Sequence, residues 1–180
     1  MTKHLFLGIA LLVLILWLGY FAGQNEFIRE EVARFGYGGV FIASIIAGFN
    51  FIAPVPAISF LPLFIESGLQ FWPTILIIIA GTVLADSVAY FVGDAARKVA
   101  LDAPKRKIYA FLERFKTRPW IMFTILFFFA ALVPLPNELI IVPMGFLGYR
   151  LLSIFPILIA GNAVFNLAYG TAILRGLFTL

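Results

Sequence analysis

The segment Pro134-Leu135-Pro136-Asn137-Glu138 interrupts a long apolar stretch and is followed by the apolar run Leu139 to Gly148. No other charged side chain occurs between Arg118 and Arg150. Two prolines remove two backbone donors and break a straight helix, and a carboxylate at the middle of a bilayer costs roughly 2.5–3.5 kcal/mol. Because irregular backbone at membrane depth is tolerated only against protein or a water-filled cavity, this segment is predicted to line a cavity. The alternative is a proline-kinked span with a neutral, hydrogen-bonded glutamic acid.

The composition indicates an integral membrane protein. Of the 180 residues, 63% are hydrophobic and only 12% are charged, whereas about a quarter of the residues of an average soluble protein are charged. The length fits one membrane domain, residues 1–180. The chain has no cysteine and a single histidine, His4, so a thiolate or histidine metal site, a resident cofactor and a histidine-dependent triad are not expected. No recognisable motif surrounds the acidic residues, so an enzyme is not predicted.

The first half of the chain contains two long uncharged runs, residues 5–22 and residues 35–65, which are predicted to enter the membrane. Residues 5–22 form an uncharged run without a good cleavage site, and we interpret this run as a retained transmembrane helix. Residues 35–65 also lack charge, but this run is too long for one span of about 20 residues and too short for two spans with a turn. Pro54 and Pro56 lie in its middle, which predicts a re-entrant hairpin that ends near Glu66.

The second half of the chain is predicted to follow a similar plan. Residues 73–93 form a full span with one charge, Asp86. Residues 97–118 carry 8 of the 13 basic residues, and they form either an amphipathic helix on the membrane surface or a solvated connector. Residues 119–149 form a second re-entrant hairpin, broken at Pro134 and Pro136. Residues 151–174 form the last span, which contains Asn162 and Asn166.

The basic residues predict the orientation. Cytoplasmic loops are enriched in lysine and arginine, so Lys3 and residues 97–118 are expected in the cytoplasm, and with them the N-terminus. The first hairpin then enters the membrane from outside and the second from inside. Because the basic residues are explained by the orientation of the chain in the membrane, no nucleic-acid partner is expected.

The sequence shows an internal repeat: residues of the first half align with residues 80 positions further along the chain. In this register Pro54 and Pro56 align with Pro134 and Pro136, and Asp86 aligns with Asn166. The same register, without gaps, aligns three further matches: Arg34-Phe35 with Arg114-Phe115, Gly68 with Gly148, and Ala80-Gly81 with Ala160-Gly161. Each unit crosses the membrane once in total, so the second unit is predicted to be inverted. Inverted repeats with broken helices near the midplane are typical of transporters.

Two inverted units of hairpin plus helix, together with the pattern Gly81, Asp86, Tyr90 and Gly93, resemble the DedA/VTT superfamily over roughly residues 30–174. The resemblance implies an all-α protein of a prokaryotic inner or plasma membrane. It also implies that membrane lipids, either polyprenyl phosphate carriers or phospholipids, are flipped or scrambled with coupling to protons or sodium. Assembly as a homo-oligomer stays open.

The chain departs from the charge pattern of that superfamily. Many members carry an acid in the first hairpin and arginines in the second, but here residues 35–65 contain no acid and residues 119–149 contain no arginine. A phosphate group is normally bound by arginine. In this chain it would depend on helix N-termini and on Asn137, Asn162 and Asn166. This departure favours a cationic or proton-linked substrate.

The candidate substrate- or ion-binding residues are Glu138, Asp86, Asn137, Asn166 and Asn162. Glu138 follows the proline break, where it serves either as a coupling residue or as a helix cap. Asn162 and Asn166 lie one helical turn apart and serve either as substrate ligands or in helix–helix adhesion. A transporter predicts that these side chains converge on one cavity. A non-transporting membrane scaffold or assembly factor predicts that each bonds to nearby backbone.

Overall fold

The computed structural model of the protein describes residues 25–49, 55–101 and 119–178. All regular secondary structure in these ranges is helical, so the prediction of an all-α chain is confirmed. The predicted helix at residues 5–22, the first break proline Pro54 and residues 102–118 of the basic segment lie outside the described residues.

Helix α1 spans Glu26–Gly48 and therefore begins earlier than the hairpin predicted to start at residue 35. Asn25 explains this start, because its side-chain oxygen accepts a hydrogen bond from the backbone N–H of Ile28 at 3.3 Å and caps the helix. Glu26 adds a negative charge in the first turn, where the helix dipole favours it. The helix kinks at Gly36, whose φ of 53° and ψ of −144° suit glycine alone.

The first unit continues with a short 3-10 helix, Ala57–Phe60, and with α2, Leu61–Glu66. The long helix α3 follows and spans Phe71–Leu101. It extends beyond the predicted end at residue 93, because Asp94 forms ion pairs with Arg97 and Lys98 at 2.6 and 2.8 Å, at the spacings that support a helix.

The second unit consists of three helices: α4, Pro119–Leu132, α5, Glu138–Leu147, and α6, Leu151–Phe178. Pro134 and Pro136 lie in the non-helical segment between α4 and α5. Among the described residues, two segments are long and apolar enough to cross a membrane: Phe71–Val99 in α3 and Leu151–Gly176 in α6.

The turns before α3 and α6 have the same hydrogen bonds, at positions that align when the first half of the sequence is laid over the second. Gly68 and Gly148 both have positive φ, 91° and 74°. The N–H of Gly68 donates to the carbonyl of Ile65, and that of Gly148 donates to the carbonyl of Gly145, both at 2.9 Å. The next N–H groups donate to Phe64 and Met144, both at 3.1 Å. Both short helices therefore end in the same glycine C-cap, and the long helices begin at aligned positions, Phe71 and Leu151.

Helix α3 lies at the centre of the described structure and contacts α1, α5 and α6, while α4 packs on α6. The closest crossing joins α3 to α5. A Cβ added at Gly93 would collide with the carbonyl oxygen of Val142, and one added at Gly145 would collide with that of Tyr90. These two glycines allow the backbones of α3 and α5 to touch. The Tyr90 hydroxyl also donates to the carbonyl of Tyr149 at 2.7 Å.

The outer surface of the helices is strongly apolar. Ile46 on α1 is 68% exposed, Leu76 on α3 is 64% exposed, and Leu152 on α6 is 77% exposed. The polar residues Asp86, Glu138, Asn162 and Asn166 are buried instead. Large exposed apolar surfaces are rare in soluble monomers and mark contact with other proteins or with membranes.

Candidate functional site

The polar buried residues line a cavity that lies between the two proline-containing breaks. Pro56 borders it from the first break, and Pro134 and Pro136 border it from the second. The empty space, including its open mouth, measures about 540 Å³. Its polar lining comes from α3, from the start of α5 with the residue before it, and from α6; the residues are Thr82, Asp86, Asn137, Glu138, Asn162 and Asn166.

Asp86 is the most connected side chain of the cavity. It projects from the middle of α3 and is only 2% exposed. The side-chain N–H groups of Asn137 and Asn162 donate to its Oδ2 atom, at 3.0 and 3.3 Å respectively. Asn137 lies at the second break and Asn162 lies on α6, so the carboxyl group of Asp86 joins three separate segments of the chain.

Glu138 is the second carboxyl group of the cavity. It is the first residue of α5 and is also only 2% exposed. Its position in the first turn faces the exposed N–H groups of the helix, which favour negative charge. Its carboxyl group lines the same cavity as that of Asp86.

The two asparagines of α6 differ in their bonding. Asn162 donates to Asp86 and also to the carbonyl of Leu158 on its own helix, at 3.0 Å. Asn166 donates to the carbonyl of Asn162, at 2.8 Å. The amide of Asn166 is therefore held by its own helix, whereas that of Asn162 links α6 to α3.

Glycines bring the walls of the cavity together. A Cβ at Gly81 would meet the Ser44 side chain of α1, and a Cβ at Gly161 would meet the Ala130 side chain of α4. Gly48, which itself lines the cavity, approaches α3 at Ala85 in the same way. Each long helix therefore lies close to the first helix of its own unit, and this packing fixes the positions of Asp86 and Asn162.

The structure brings together all five residues that the sequence analysis selected: Glu138, Asp86, Asn137, Asn166 and Asn162. Three of the four predicted break prolines border the same cavity, and the fourth, Pro54, lies outside the described residues.

The sequence analysis missed some of the lining, including Thr82 and Phe165. Thr82 had a signal in the sequence, because it lies one helical turn before Asp86 and aligns with Asn162 in the internal repeat. Phe165 had none, since an aromatic residue is unremarkable in so apolar a helix.

The ionisable side chains that line the cavity within the described ranges are acidic. Two carboxyl groups line it, and no lysine or arginine within residues 25–49, 55–101 and 119–178 does so. No group of three or more histidine, cysteine or acidic residues in the described ranges could hold a metal ion. Within these ranges, the carboxyl group of Asp86 accepts hydrogen bonds from the neutral side-chain amides of Asn137 and Asn162.

Comparison of the chain with models of protein families, with curated proteins and with solved structures yields no match. The likeness to the DedA/VTT superfamily therefore rests on the residues and motifs of the sequence itself.

Proposed function

We propose that this chain is a membrane transporter whose substrate and coupling ion bind in the cavity around Asp86 and Glu138. The observation that carries the proposal is the convergence of two carboxyl groups and three side-chain amides on one cavity between two breaks in the helical backbone. Polar and ionisable groups buried in a membrane mark substrate or ion pathways.

The distribution of polarity supports a position within the bilayer. Helices α3 and α6 contain segments long enough to span it, and their outer faces are apolar while their polar residues turn inward. In this proposal α3 and α6 cross the membrane, and the shorter helices of each unit form re-entrant hairpins. Non-helical backbone at residues 133–137 then lines the cavity rather than contacting lipid, because lipid offers no hydrogen-bond partners to unpaired backbone groups.

The matched turns at Gly68 and Gly148 support an internal repeat. Each unit has one long helix after its hairpin, so two such units are related by an inversion in the membrane, with residues 35–92 corresponding to residues 115–172. The substrate site of such transporters lies near the midplane, where the broken helices of the two repeats meet. The cavity bordered by Pro56, Pro134 and Pro136 fits this position.

The resemblance to DedA/VTT proteins suggests a lipid as substrate, moved by flipping or scrambling in a prokaryotic inner or plasma membrane with a cytoplasmic N-terminus. Coupling to a proton fits the two buried carboxyl groups, since a carboxyl group in low dielectric takes up and releases protons. An ion-coupled transporter of a small solute would use the same residues.

A membrane scaffold is the second candidate. The observation that favours it is the bonding of Asn166 to its own helix, which is typical of structural amides. Asp86, however, is bound by Asn137 and Asn162 from two other segments. Such a network around a cavity favours transport over docking.

The test is a lipid-translocation assay on the purified full chain in vesicles, with and without an imposed proton gradient. We expect the wild-type protein to move lipid from one leaflet to the other, at a rate that changes with the gradient. If protein-containing and empty vesicles behave alike with lipid and with small-solute probes, the chain is not a transporter and the scaffold function gains support.

A further inference from the structure

A groove separate from the cavity lies where α1 begins and α2 ends. Its empty space, including its open mouth, measures about 670 Å³. Four of its lining residues share one face of α1 at helical spacing, and two lie at the end of α2; the residues are Glu26, Arg29, Glu30, Ala33, Glu66 and Ser67. None of these six residues lines the cavity around Asp86, so the groove is a site of its own.

The groove joins the two ends of the first uncharged run. Residues 35–65 contain no charged side chain, and charged residues from both sides of this run, Arg29 before it and Glu66 after it, line the same groove. Charged side chains avoid the hydrocarbon core of a bilayer. In the proposed membrane position, the groove therefore lies at one surface of the bilayer, level with the lipid headgroups.

Two residues of the groove carry buried atoms with opposite hydrogen-bonding needs. Nε of Arg29 and Oε2 of Glu66 are both buried, and neither has a hydrogen-bond partner in the described part of the chain. The first atom is a donor and the second is an acceptor. A buried charged group without a partner is costly, so such an atom indicates a bound water, ion or ligand. Glu66 is also the last residue of α2, where the exposed carbonyl groups of a helix favour a positive partner.

A ligand that carries both an anionic oxygen and a charged N–H group satisfies both atoms. Arginine binds phosphate oxygens, and a primary ammonium group offers three N–H donors to Glu66. A choline headgroup has no N–H donor, so it would leave Glu66 without a hydrogen bond. A headgroup with a phosphate but no amine would bring negative charge beside Glu26, Glu30 and Glu66, at a cost in like-charge repulsion.

We propose that this groove binds the headgroup of a phospholipid that carries both a phosphate and a primary ammonium group. Arg29 donates to the phosphate and Glu66 accepts from the ammonium group, so the lipid links the start of α1 to the end of α2. Phe27, in the first turn of α1, is 71% exposed and offers an apolar surface to the acyl chains. The proposal requires the chain to lie in a membrane but does not require it to transport a substrate.

The first experiment compares lipids that differ only in their headgroups. Calorimetric titration of the purified full chain in detergent uses short-chain phosphatidylethanolamine, phosphatidylcholine and phosphatidylglycerol with the same acyl chains. We expect phosphatidylethanolamine to bind at least about tenfold more tightly than the other two, the order expected for a hydrogen bond between charged groups. Equal affinities, or no binding of any lipid, would overturn the proposal. This comparison needs no variant, so it holds even if a substitution impairs folding.

Variants then assign the two halves of the headgroup. We expect Arg29→Gln to weaken the binding of all three lipids, because they share the phosphate, and Glu66→Gln to remove only the preference for phosphatidylethanolamine. The matched controls are Arg34→Gln and Glu31→Gln, which remove the same charges from an ion pair of 3.7 Å on α1, outside the groove. Both controls should bind like the wild type. Unchanged binding in both groove variants, or equal losses in the controls, would overturn the assignment.

A free solute with the same headgroup is tested by titration with glycerophosphoethanolamine, which lacks acyl chains. We expect it to bind more weakly than the lipid, because the chains add apolar contact, and equal affinity would overturn the lipid as the occupant. The site and the transporter function fail separately. Selective binding of phosphatidylethanolamine without movement of lipid in vesicles supports the site and removes the transporter function. Movement of lipid without selective binding overturns the site and leaves the transporter function standing.

Discussion

Thr82 and Asn162 lie 80 residues apart, at positions that align when the first half of the sequence is laid over the second, and their side chains meet in the cavity. The hydroxyl oxygen of Thr82 lies 3.4 Å from Oδ1 of Asn162, within hydrogen-bonding distance. The same hydroxyl lies 2.9 Å from the carbonyl of Ile78 on its own helix. In two units related by a two-fold rotation, equivalent residues touch only near the rotation axis. The proposed two-fold relation between the halves of the chain therefore predicts an axis that passes through this contact.

The first prediction concerns this contact. Thr82→Val keeps the shape of the side chain but removes the hydroxyl, and we expect it to lower the free energy of unfolding by about 1 kcal/mol. Thr171→Val is the matched control, because Thr171 is exposed and bonds to the carbonyl of Leu167 on its own helix, at 2.7 Å. Thermal unfolding of both purified variants measures the difference. Equal losses would mean that the contact with Asn162 contributes nothing to stability.

The second prediction concerns proton coupling. Glu138→Gln keeps size and hydrogen-bonding capacity, so we expect it to insert and fold normally while losing transport or its dependence on pH. Asp86→Asn should reduce the rate less, because its equivalent in the other unit is already an amide, Asn166. Transport rates across a pH series measure both effects. A wild-type rate and pH profile in Glu138→Gln would show that this carboxyl group acts only as a helix cap.

The third prediction concerns the crossing of α3 and α5. Gly93→Leu places a side chain where the carbonyl of Val142 lies, so we expect a loss of about 1–3 kcal/mol in the free energy of unfolding. Gly38→Leu is the matched control on α1, where an added Cβ meets no atom within 4 Å. Unfolding measurements on the two variants test the difference. If Gly93→Leu is as stable as Gly38→Leu, the backbones do not touch at this crossing.

The fourth prediction concerns the two glycine turns. Gly68→Ala forces a residue with a Cβ into positive φ, at a cost of about 1–2 kcal/mol. The space around Gly68 is open, whereas Arg97 lies beside Gly148. Gly148→Ala should therefore cost at least as much as Gly68→Ala. Chemical unfolding of the two variants tests this order, and a neutral Gly68→Ala would contradict the left-handed conformation assigned to that turn.

The fifth prediction concerns orientation. A topology reporter fused at residue 102 should lie in the cytoplasm and one fused at residue 27 outside it, because the basic residues 97–118 favour the cytoplasmic side. Reporter activity in intact cells measures both positions. Two reporters on the same side of the membrane would contradict an odd number of crossings between these residues.

Much of the local structure follows from residue types. The prolines at 134 and 136 exclude a continuous helix because they lack a donor and clash with the preceding turn. Gly68 and Gly148 are suited to end short helices because they accept positive φ. The inward position of Asp86 also follows from the sequence, since a carboxylate on an apolar helix is stable only when it faces protein. Helix α1 begins at Glu26, before the uncharged run that starts at residue 35, because the side chain of Asn25 caps it.

The site itself is decided by tertiary structure. Asp86 lies 51 residues from Asn137 and 76 residues from Asn162, and local propensities carry no information about contacts at such distances. The contacts arise because Gly93 and Gly145 let α3 and α5 touch, while Gly81 and Gly161 bring α1 and α4 close to the long helices. The sequence by itself thus determined the break at Pro134 and Pro136, the glycine turns at Gly68 and Gly148, and the burial of the polar side chain of Asp86. Only the packing of helix on helix decided that the two carboxyl groups share one cavity, because crossing angles and separations depend on close contacts between surfaces far apart in the chain.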